Sequence, residues 1–334
     1  MAAALTGACS SAWSAGGKVI KPPRLRPGHR IGIVAPASSV PEFDEITMAN
    51  EIVESLGFEP VEGEHLYART NYLAGEDRDR AADVNAMFAD DSVDAIFCLR
   101  GGYGTTRMLP FLDYDVIGAN PKVITGYSDI TGLINAITVK TGLVTFHGPI
   151  ALQNFSDYTL REYRKVLVEP VRNAVIAAAP PFETRAGLID KSNRILTITG
   201  GKARGRLVGG NLTLLTSING TPYEPDYDGA ILFLEDVDEA PYRVDRMLTE
   251  LWLSGHLQKL AGVALGKFTE TGGYGGNEFS LEDVFRMRFE ALGVPTVRGL
   301  MIGHVEDQTT VPIGIDAELD ADEGSITLLE TAVT

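Results

Sequence analysis

Three things are scarce in this sequence: cysteine, long apolar stretches and positive charge. Its two cysteines, Cys9 and Cys98, match no metal-binding spacing, and Cys98 lies in an apolar run where a buried thiol is the simpler interpretation. No stretch reaches the ~18 apolar residues that indicate a membrane-spanning helix. With 45 Asp plus Glu against 29 Lys plus Arg, the net charge is −16, which argues against nucleic acid or anionic lipid as the main partner.

The first 17 residues are rich in small side chains and differ from the rest of the chain. They lack the charged region that opens a complete secretory signal. They fit the remnant of such a signal, with Cys9 near a lipid-attachment position. We therefore predict that residues 1–24 form a disordered or signal-remnant segment, and the signal interpretation implies an exported or lipid-anchored protein.

The remaining chain has the length of two domains, and the 36 glycines among the 334 residues indicate many tight turns. From Arg30 onward, short apolar runs alternate with segments of helical periodicity, which is the pattern of parallel βαβ units. The predicted strands are 31–37, 94–100, 122–127 and 144–149, and the predicted helices are 44–57, 76–89 and 129–142. This alternation predicts an α/β fold with an open, mostly parallel sheet.

Residues 150–200 interrupt the alternation with a polar helix and a stretch rich in alanine and proline. The predicted domains are a first domain at 25–165, a linker at 166–195 and a second domain at 196–334. The second domain mixes helices with strands and ends in two alternating strands, 311–321 and 325–331. It therefore reads as a mixed α/β, barrel-like domain.

At four places a buried strand is followed by a polar or glycine-rich turn: 97–104, 123–129, 231–239 and 300–307. Ligands of α/β folds collect at the carboxyl ends of strands, where a rigid sheet positions the loops. Together these turns offer a serine, several acids, a histidine and a run of backbone amides. Those are the groups that nucleophilic acyl transfer requires.

Ser128 follows a predicted strand and precedes a predicted helix. A strand–turn–helix at this point would expose the hydroxyl and direct the next backbone N–H at a developing oxyanion. The G-x-S-x-G pattern is not met, because Ile130 stands at the last glycine position. The alternative interpretation is a helix cap without chemistry.

Two of the five histidines, His147 and His304, close apolar strands, and the pattern favours them equally as a general base. A carboxylate that orients an imidazole needs a half-buried position. Among the clustered acids Glu235, Asp236, Asp238 and Glu239, Glu235 is nearest to its apolar run and best meets that need. The alternative for this cluster is a solvated acidic turn.

The loop RGGYG at 100–104 has two interpretations, a phosphate cradle or an oxyanion loop. It lacks the G-x-G-x-x-G spacing and the P-loop lysine, so dinucleotide and nucleotide sites are weakly supported. No H-x-x-x-H, C-x-x-C or E-x-x-H pair is present, and we predict neither a metal nor a cofactor.

Taken together and in this order, the turns resemble the LD-carboxypeptidase family of serine peptidases, which includes murein tetrapeptide carboxypeptidases and microcin C self-immunity proteins. The resemblance covers residues 25–332. The segments that carry it are GIVAPAS (32–38), LRGGYGTTRMLPFLDYD (99–115), ITGYSDIT (124–131), GGNLTLL (209–215), FLEDVDEAPYRVDRML (233–248) and GHVEDQTTVPIG (303–314). Several long segments in one order make the resemblance specific.

The resemblance implies Ser128 as nucleophile, His304 as general base and Glu235 as the residue that orients the imidazole. It implies the backbone amides of Asp129 and Gly102 as oxyanion donors. The fold it implies is a flavodoxin-like domain carrying the serine and a C-terminal domain carrying the other two, often in a homodimer. The reaction it implies is hydrolysis of an L,D-peptide bond that releases the terminal D-alanine of a murein tetrapeptide.

A carboxypeptidase must also bind a free carboxylate, for which Arg100 and Arg107 are candidates, with a surface ion pair as the alternative for either. The second function within the family is cleavage of an aminoacyl-nucleotide amide. Stacking a nucleobase calls for an exposed aromatic, and neither Trp13 nor Trp252 reads as a cleft residue. A murein peptide is therefore favoured, and a non-catalytic binding module is disfavoured because no triad residue is missing. The usual location of the family is the cytoplasm.

Overall fold

The computed structural model describes residues 18–272 and 279–334. The first 17 residues, on which the signal-remnant prediction and Cys9 fall, lie outside this range. In the first half, strands and helices alternate as the sequence predicts. The strands are β1 (Arg30–Val34), β2 (Glu59–Glu62), β3 (Ala95–Cys98), β4 (Val123–Gly126) and β5 (Thr145–His147); the helices are α1 (Asp44–Ser55), α2 (Asp77–Ala89), α3 (Thr105–Met108), α4 (Tyr114–Ala119) and α5 (Ile130–Thr141).

These five strands are all parallel and lie in the order β2-β1-β3-β4-β5. That is the strand order of the flavodoxin-like fold, in which ligands bind beside the point where the order reverses. The central strands β3 and β4 are buried throughout, which explains their continuous apolar runs. The predicted flavodoxin-like first domain is confirmed.

The second half adds a second, curved sheet. Its elements are α6 (Asp157–Tyr163), β6 (Val175–Ile176), β7 (Leu196–Thr199), β8 (Lys202–Asn211), α7 (Leu212–Ile218), β9 (Ile231–Val237), α8 (Pro241–Leu253), β10 (Gly262–Thr269), α9 (Leu281–Phe289), β11 (Thr296–Arg298), β12 (Val311–Ile313), β13 (Asp316–Asp320) and β14 (Ser325–Leu328). The strand order is β6-β14-β13-β8-β9-β10-β11-β7, with β8 to β11 parallel and the outer pairs antiparallel. A mixed α/β second domain is confirmed.

The predicted single strand at 311–321 is wrong, because the structure divides it into β12 and β13. Strand β12 pairs antiparallel with β5 and completes the first sheet, whereas β13 pairs with β8 and β14 in the second. Gly314 stands between them with φ of +97°, in the left-handed region that glycine enters without a steric penalty. A turn at this glycine carries the chain from one sheet to the other.

The predicted domain limits stay predictions, although two of their segments have defined contacts. Residues 18–24 contact both halves of the chain: Ile20 forms a bridge with Leu143, and Lys21 forms an ion pair with Glu330 at 2.6 Å. Within the predicted linker, β6 pairs with β14 at the edge of the second sheet. The linker is thus partly a strand of the second sheet.

Strand β9 connects the two hydrophobic cores. Ile231 and Phe233 belong to the core that continues into the first domain, whereas Leu232 and Leu234 pack in a separate core under α8 and α9. Side chains of a strand alternate between its faces. Glu235 therefore shares the face of Ile231 and Phe233 and points toward the first domain.

None of the helices in 18–272 or 279–334 combines the length and the apolar character that crossing a bilayer requires.

Replacing Gly209 by alanine should destabilise the second sheet. Gly209 has φ of +148°, and a Cβ there would collide with the backbone carbonyl of Phe233 on the paired strand. We expect Gly209→Ala to lower the free energy of unfolding by about 3 kcal/mol or more, measured by urea denaturation. The matched control is Gly118→Ala, in α4, where the nearest atom to a new Cβ is 3.5 Å away. Equal stability of the two variants would contradict the close-approach argument.

Candidate active site

Ser128 stands in a sharp turn between β4, which ends at Gly126, and α5, which begins at Ile130. Its φ is +63°, a left-handed conformation that costs a non-glycine residue free energy. A Cβ on Gly126 would lie 2.7 Å from the side chain of Ile130, so the turn is also tight. Strain of this kind concentrates at functional sites, so the conformation of Ser128 is consistent with a functional role.

The helix-cap interpretation of Ser128 does not fit the geometry. Asp129 occupies the cap position of α5, and its side chain makes no capping hydrogen bond. Its carboxylate instead accepts a hydrogen bond from the backbone N–H of Thr105 at 2.8 Å. Burial raises the pKa of the Asp129 carboxyl. The side chain of Asp129 therefore anchors α3 to α5, and its backbone N–H stays at the helix N-terminus.

The RGGYG loop lies directly against Ser128. A Cβ on Gly101 would be 2.8 Å from Ser128 Cβ and 3.1 Å from its Oγ, and one on Gly102 would collide with the Ser38 hydroxyl. The backbone N–H of Tyr103 donates a hydrogen bond to Ser38 Oγ at 3.0 Å, which holds the loop in place. Because these glycines lack a Cβ, the loop backbone can approach Ser128 at Gly101 and Ser38 at Gly102. An oxyanion loop requires such a close approach to the serine nucleophile.

Glu235 and His304 are joined by a hydrogen bond of 2.7 Å between Glu235 Oε2 and His304 Nδ1. Glu235 is fully buried, and 19% of the His304 side chain is exposed. Gly303 has φ of +121°, and a Cβ there would lie 2.9 Å from Glu235 Oε2. The glycine lets the histidine loop settle on the carboxylate, and Nε2 is left for another partner.

Tyr127 connects this pair to the serine. Its ring meets that of His304 edge to face, with centroids 4.9 Å apart, and it directly precedes Ser128 in the chain. Burial and the nearby Glu235 raise the pKa of Tyr127 to about 12, so it stays neutral. Tyr127 thus contacts His304 with its ring and is joined to Ser128 through the backbone.

The structure separates the two histidines that the sequence pattern left equal. His147 is fully buried, and neither ring nitrogen has a hydrogen-bond partner within the described part of the chain. It lies edge-on to Phe233 at 5.5 Å and to Tyr127 at 6.2 Å. Burial lowers its pKa to about 4, which keeps the ring neutral. It is not solvent-exposed, whereas His304 is.

The remaining histidines lie elsewhere, each beside its own polar partner. His29 faces Asp94, His65 bonds Asp83, and His256 bonds Asn219.

Of the clustered acids, Glu235 and Asp236 point to opposite sides of β9. Asp236 accepts hydrogen bonds from Asn211 Nδ2 at 2.8 Å and from the backbone N–H of Thr213 at 3.0 Å. Burial and the charge of Glu235 raise its pKa to about 6. Asp236 therefore attaches β9 to α7, and only Glu235 faces the histidine.

The two candidate arginines differ. Arg107 forms a bidentate ion pair with Asp77, with Nε–Oδ1 at 2.9 Å and Nη2–Oδ2 at 3.0 Å. This is the surface ion pair that stood as the alternative interpretation. Among the described residues, Arg100 donates only to the backbone carbonyl of Ser39, at 3.3 Å, so its remaining donors can reach a ligand.

Sequence reasoning missed an exposed aromatic pair beside the site. Tyr103, 49% exposed, and Tyr72, 61% exposed, meet edge to face with centroids 5.6 Å apart. Tyr103 lies inside the RGGYG segment, but its partner Tyr72 comes from a different loop, so no local pattern indicates the pair.

The described residues contain no group of three or more His, Cys, Asp or Glu side chains able to hold a metal ion. Cys98 is buried, and burial raises the pKa of its thiol.

The structure combines a strained serine on a flavodoxin-like sheet with a buried carboxylate and an imidazole from a second domain. This combination is typical of a two-domain hydrolytic enzyme with an α/β architecture. Comparison with known proteins identifies the family. Residues 31–148 match the LD-carboxypeptidase N-terminal domain, and residues 204–319 match the LD-carboxypeptidase C-terminal domain. The chain belongs to the LD-carboxypeptidase family and is an enzyme of that class, as its sequence motifs indicate.

Named relatives cover nearly the whole chain. A Bacillus subtilis protein named "Probable murein peptide carboxypeptidase" is 38% identical over 309 residues, 91% of this chain and 92% of its own. The structure of muramoyltetrapeptide carboxypeptidase from Oxalobacter formigenes is similar with a TM-score of 0.74 and 30% identity, over 90% of this chain and 97% of its own. The structure of microcin C7 self-immunity protein MccF in complex with aspartyl sulfamoyl adenosine is similar with a TM-score of 0.82 and 28% identity. The match covers 94% of this chain and 100% of that one.

Because burial keeps His147 neutral, we predict that the folded protein loses stability in acid. The native ring is protonated only near pH 4, whereas an unfolded histidine takes up its proton near pH 6.5. As pH falls between these values the unfolded state binds more protons, so the free energy of unfolding decreases by about 3 kcal/mol from this residue. Urea denaturation at pH 7 and pH 4.5 should therefore show a smaller decrease for His147→Gln than for the wild type. Identical pH dependence would contradict the burial argument.

Proposed function

We propose that the protein is a serine carboxypeptidase that hydrolyses an L,D-peptide bond and releases the terminal D-alanine of murein tetrapeptides. Ser128 is the nucleophile, His304 the general base and Glu235 the residue that orients the imidazole. One observation carries the proposal: the Glu235–His304 pair packs on Tyr127, the residue directly before the strained Ser128.

His304 acts through Nε2, because its Nδ1 is engaged by Glu235. The neutral ring takes the Ser128 hydroxyl proton as Oγ attacks the carbonyl carbon, and the buried carboxylate stabilises the imidazolium that forms. The ring then gives this proton to the leaving amine of D-alanine. Water attacks the acyl-enzyme by the same route, which restores the serine.

The oxyanion donors in this mechanism are the backbone N–H groups of Asp129 and Gly102. The Asp129 amide lies at the N-terminus of α5, where the helix dipole favours negative charge. The close contact between Gly101 and Ser128 supports the role of the RGGYG loop as an oxyanion donor. Any side chain at Gly101 would push the loop amides away from Ser128.

The murein substrate is supported by the relatives whose names specify murein or muramoyl peptides. The second candidate is an aminoacyl-nucleotide amide, because MccF structures contain aspartyl sulfamoyl adenosine and glutamyl sulfamoyl guanosine. The exposed Tyr72–Tyr103 pair, which includes a residue of the RGGYG loop, favours this candidate because a nucleobase can stack on such rings. Neither Trp13 nor Trp252 offers comparable support.

The homodimer and the cytoplasmic location also belong to the proposal, and both rest on the resemblance to the family. Light scattering of the purified chain measures the assembly directly. A mass of one chain would contradict the homodimer.

Ser128→Ala should abolish turnover and leave the fold intact. Removing the nucleophile of a triad lowers kcat by on the order of 10⁴ or more. The measurement is release of free D-alanine from a disaccharide-tetrapeptide. The matched control is Ser217→Ala, an exposed serine of α7 whose hydroxyl donates to the Thr213 carbonyl in its own helix, and it should keep full activity. Retained turnover in Ser128→Ala would overturn the nucleophile assignment.

The same assay separates the two candidate substrates. Release of D-alanine by the wild type supports the murein peptide. If the wild type releases none but cleaves an aminoacyl-nucleotide amide, the second candidate replaces the first.

Arg100→Gln should raise KM for the tetrapeptide by about 10-fold or more, with a smaller effect on kcat, if Arg100 binds the free carboxylate through charge-assisted hydrogen bonds. Arg107→Gln should leave KM within about 2-fold, because Asp77 already holds its guanidinium. A larger KM effect for Arg107 than for Arg100 would reverse the assignment.

A further inference from the structure

Behind the Glu235–His304 pair lies a group of buried polar atoms without partners, which we call the inner cluster: His147, Glu235 and Gln308. Among the described residues, neither nitrogen of His147 has a hydrogen-bond partner, and the same holds for Glu235 Oε1 and Gln308 Oε1. All three residues are fully buried.

The contacts of these residues bring them to one place. Phe233, whose ring lies 5.5 Å from that of His147, shares a face of β9 with Glu235. Gln308 Nε2 donates to the carbonyl of Gly303 at 2.9 Å, and Gly303 lies against Glu235. His147 belongs to β5, which β12 borders on its outer side. The inner cluster thus lies among β5, β9 and the His304 loop.

Buried polar atoms are nearly always hydrogen-bonded, to protein or to an ordered water. The atoms of the inner cluster are chemically complementary through such a water. A neutral imidazole N–H can donate to it, and the oxygens of Glu235 and Gln308 can accept from it. These three bonds fall within the two to four that a buried water makes, and the rings of Phe233 and Tyr127 border the site on its apolar side.

We propose that His147 is a positioning residue: through one buried water, its ring N–H holds Glu235 Oε1, so that Oε2 stays directed at His304. The proposal deepens the proposed function and rests on it, since the Glu235–His304 pair is the part that His147 supports. His147 does not touch the substrate. It acts on the orientation of the carboxylate, and thereby on the imidazole.

The surroundings of His147 suit this role. The ionisable groups that face it are Tyr127 from the serine turn, Glu235 from β9 and His304 from the adjoining loop. Burial keeps His147 neutral, so the ring has one N–H to donate and adds no charge that would compete for Glu235. A cation here would draw the carboxylate away from His304.

The kinetic test compares His147→Phe, which fills the space without a donor, with His147→Gln, which keeps one. Loss of such a supporting partner typically lowers activity 10- to 100-fold. We expect His147→Phe to lower kcat for D-alanine release by about this factor with KM within about 2-fold, and His147→Gln to recover most of the loss. The matched control, His256→Phe, removes a histidine that bonds Asn219 in the second domain and should leave kcat unchanged.

Two kinetic outcomes would overturn the proposal: an unchanged kcat in His147→Phe, or an equal loss in both His147 variants. The second outcome would mean that the loss does not depend on a hydrogen-bond donor at this position.

A crystal structure of the wild type tests the water without any assay. The expected result is a solvent peak within hydrogen-bonding distance of both a His147 ring nitrogen and Glu235 Oε1. Absence of that peak would overturn the proposal even if the enzyme is active. If the wild type releases no D-alanine, the proposed function fails while the peak still decides the role of His147.

Discussion

The hydrogen bond between Glu235 and His304 is the interaction on which the rest of this structure depends. A fully buried carboxylate is costly unless it is paired, and its position at the end of β9 is set by the alternation that sends Phe233 into the core of the first domain. The left-handed Gly303 is needed to bring the imidazole within reach. Strand β12 lies beside His147, where it pairs with β5, and helps to exclude bulk solvent from this region.

Much of the fold could be predicted because its first half follows local rules. Apolar strands and amphipathic helices alternate from Arg30 onward, and the structure reproduces the predicted ones with boundaries shifted by at most three residues. Strand β12 could not be predicted in its place, because an alternating run such as 311–321 does not specify which sheet it joins. The choice depends on the backbone at Gly314 and on an open edge at β5, and both are tertiary features.

The site shows the same division. Local sequence identified Ser128 and the glycine loop, but it could not distinguish a nucleophile from a helix cap; the positive φ that argues against a cap is visible only in three dimensions. The sequence pattern predicts that both His147 and His304 close strands, but in the structure only His147 does, at the end of β5, whereas His304 lies in the loop between β11 and β12. Their different burial and the hydrogen bond from His304 to Glu235 separate them, and both are tertiary features. The family resemblance supplied the choice that local patterns could not. The Tyr72–Tyr103 pair was missed because its members come from loops far apart in the sequence.

Strand β12 has a consequence for how the chain folds. The sheet that carries the serine lacks its outer strand until residue 313 has been synthesised, when the second domain is almost complete. Until then the edge of β5 is an unpaired strand edge, open to contacts with other chains. The two domains therefore cannot mature independently on the ribosome, and a nascent chain stopped before β12 would carry the nucleophile on an unprotected sheet.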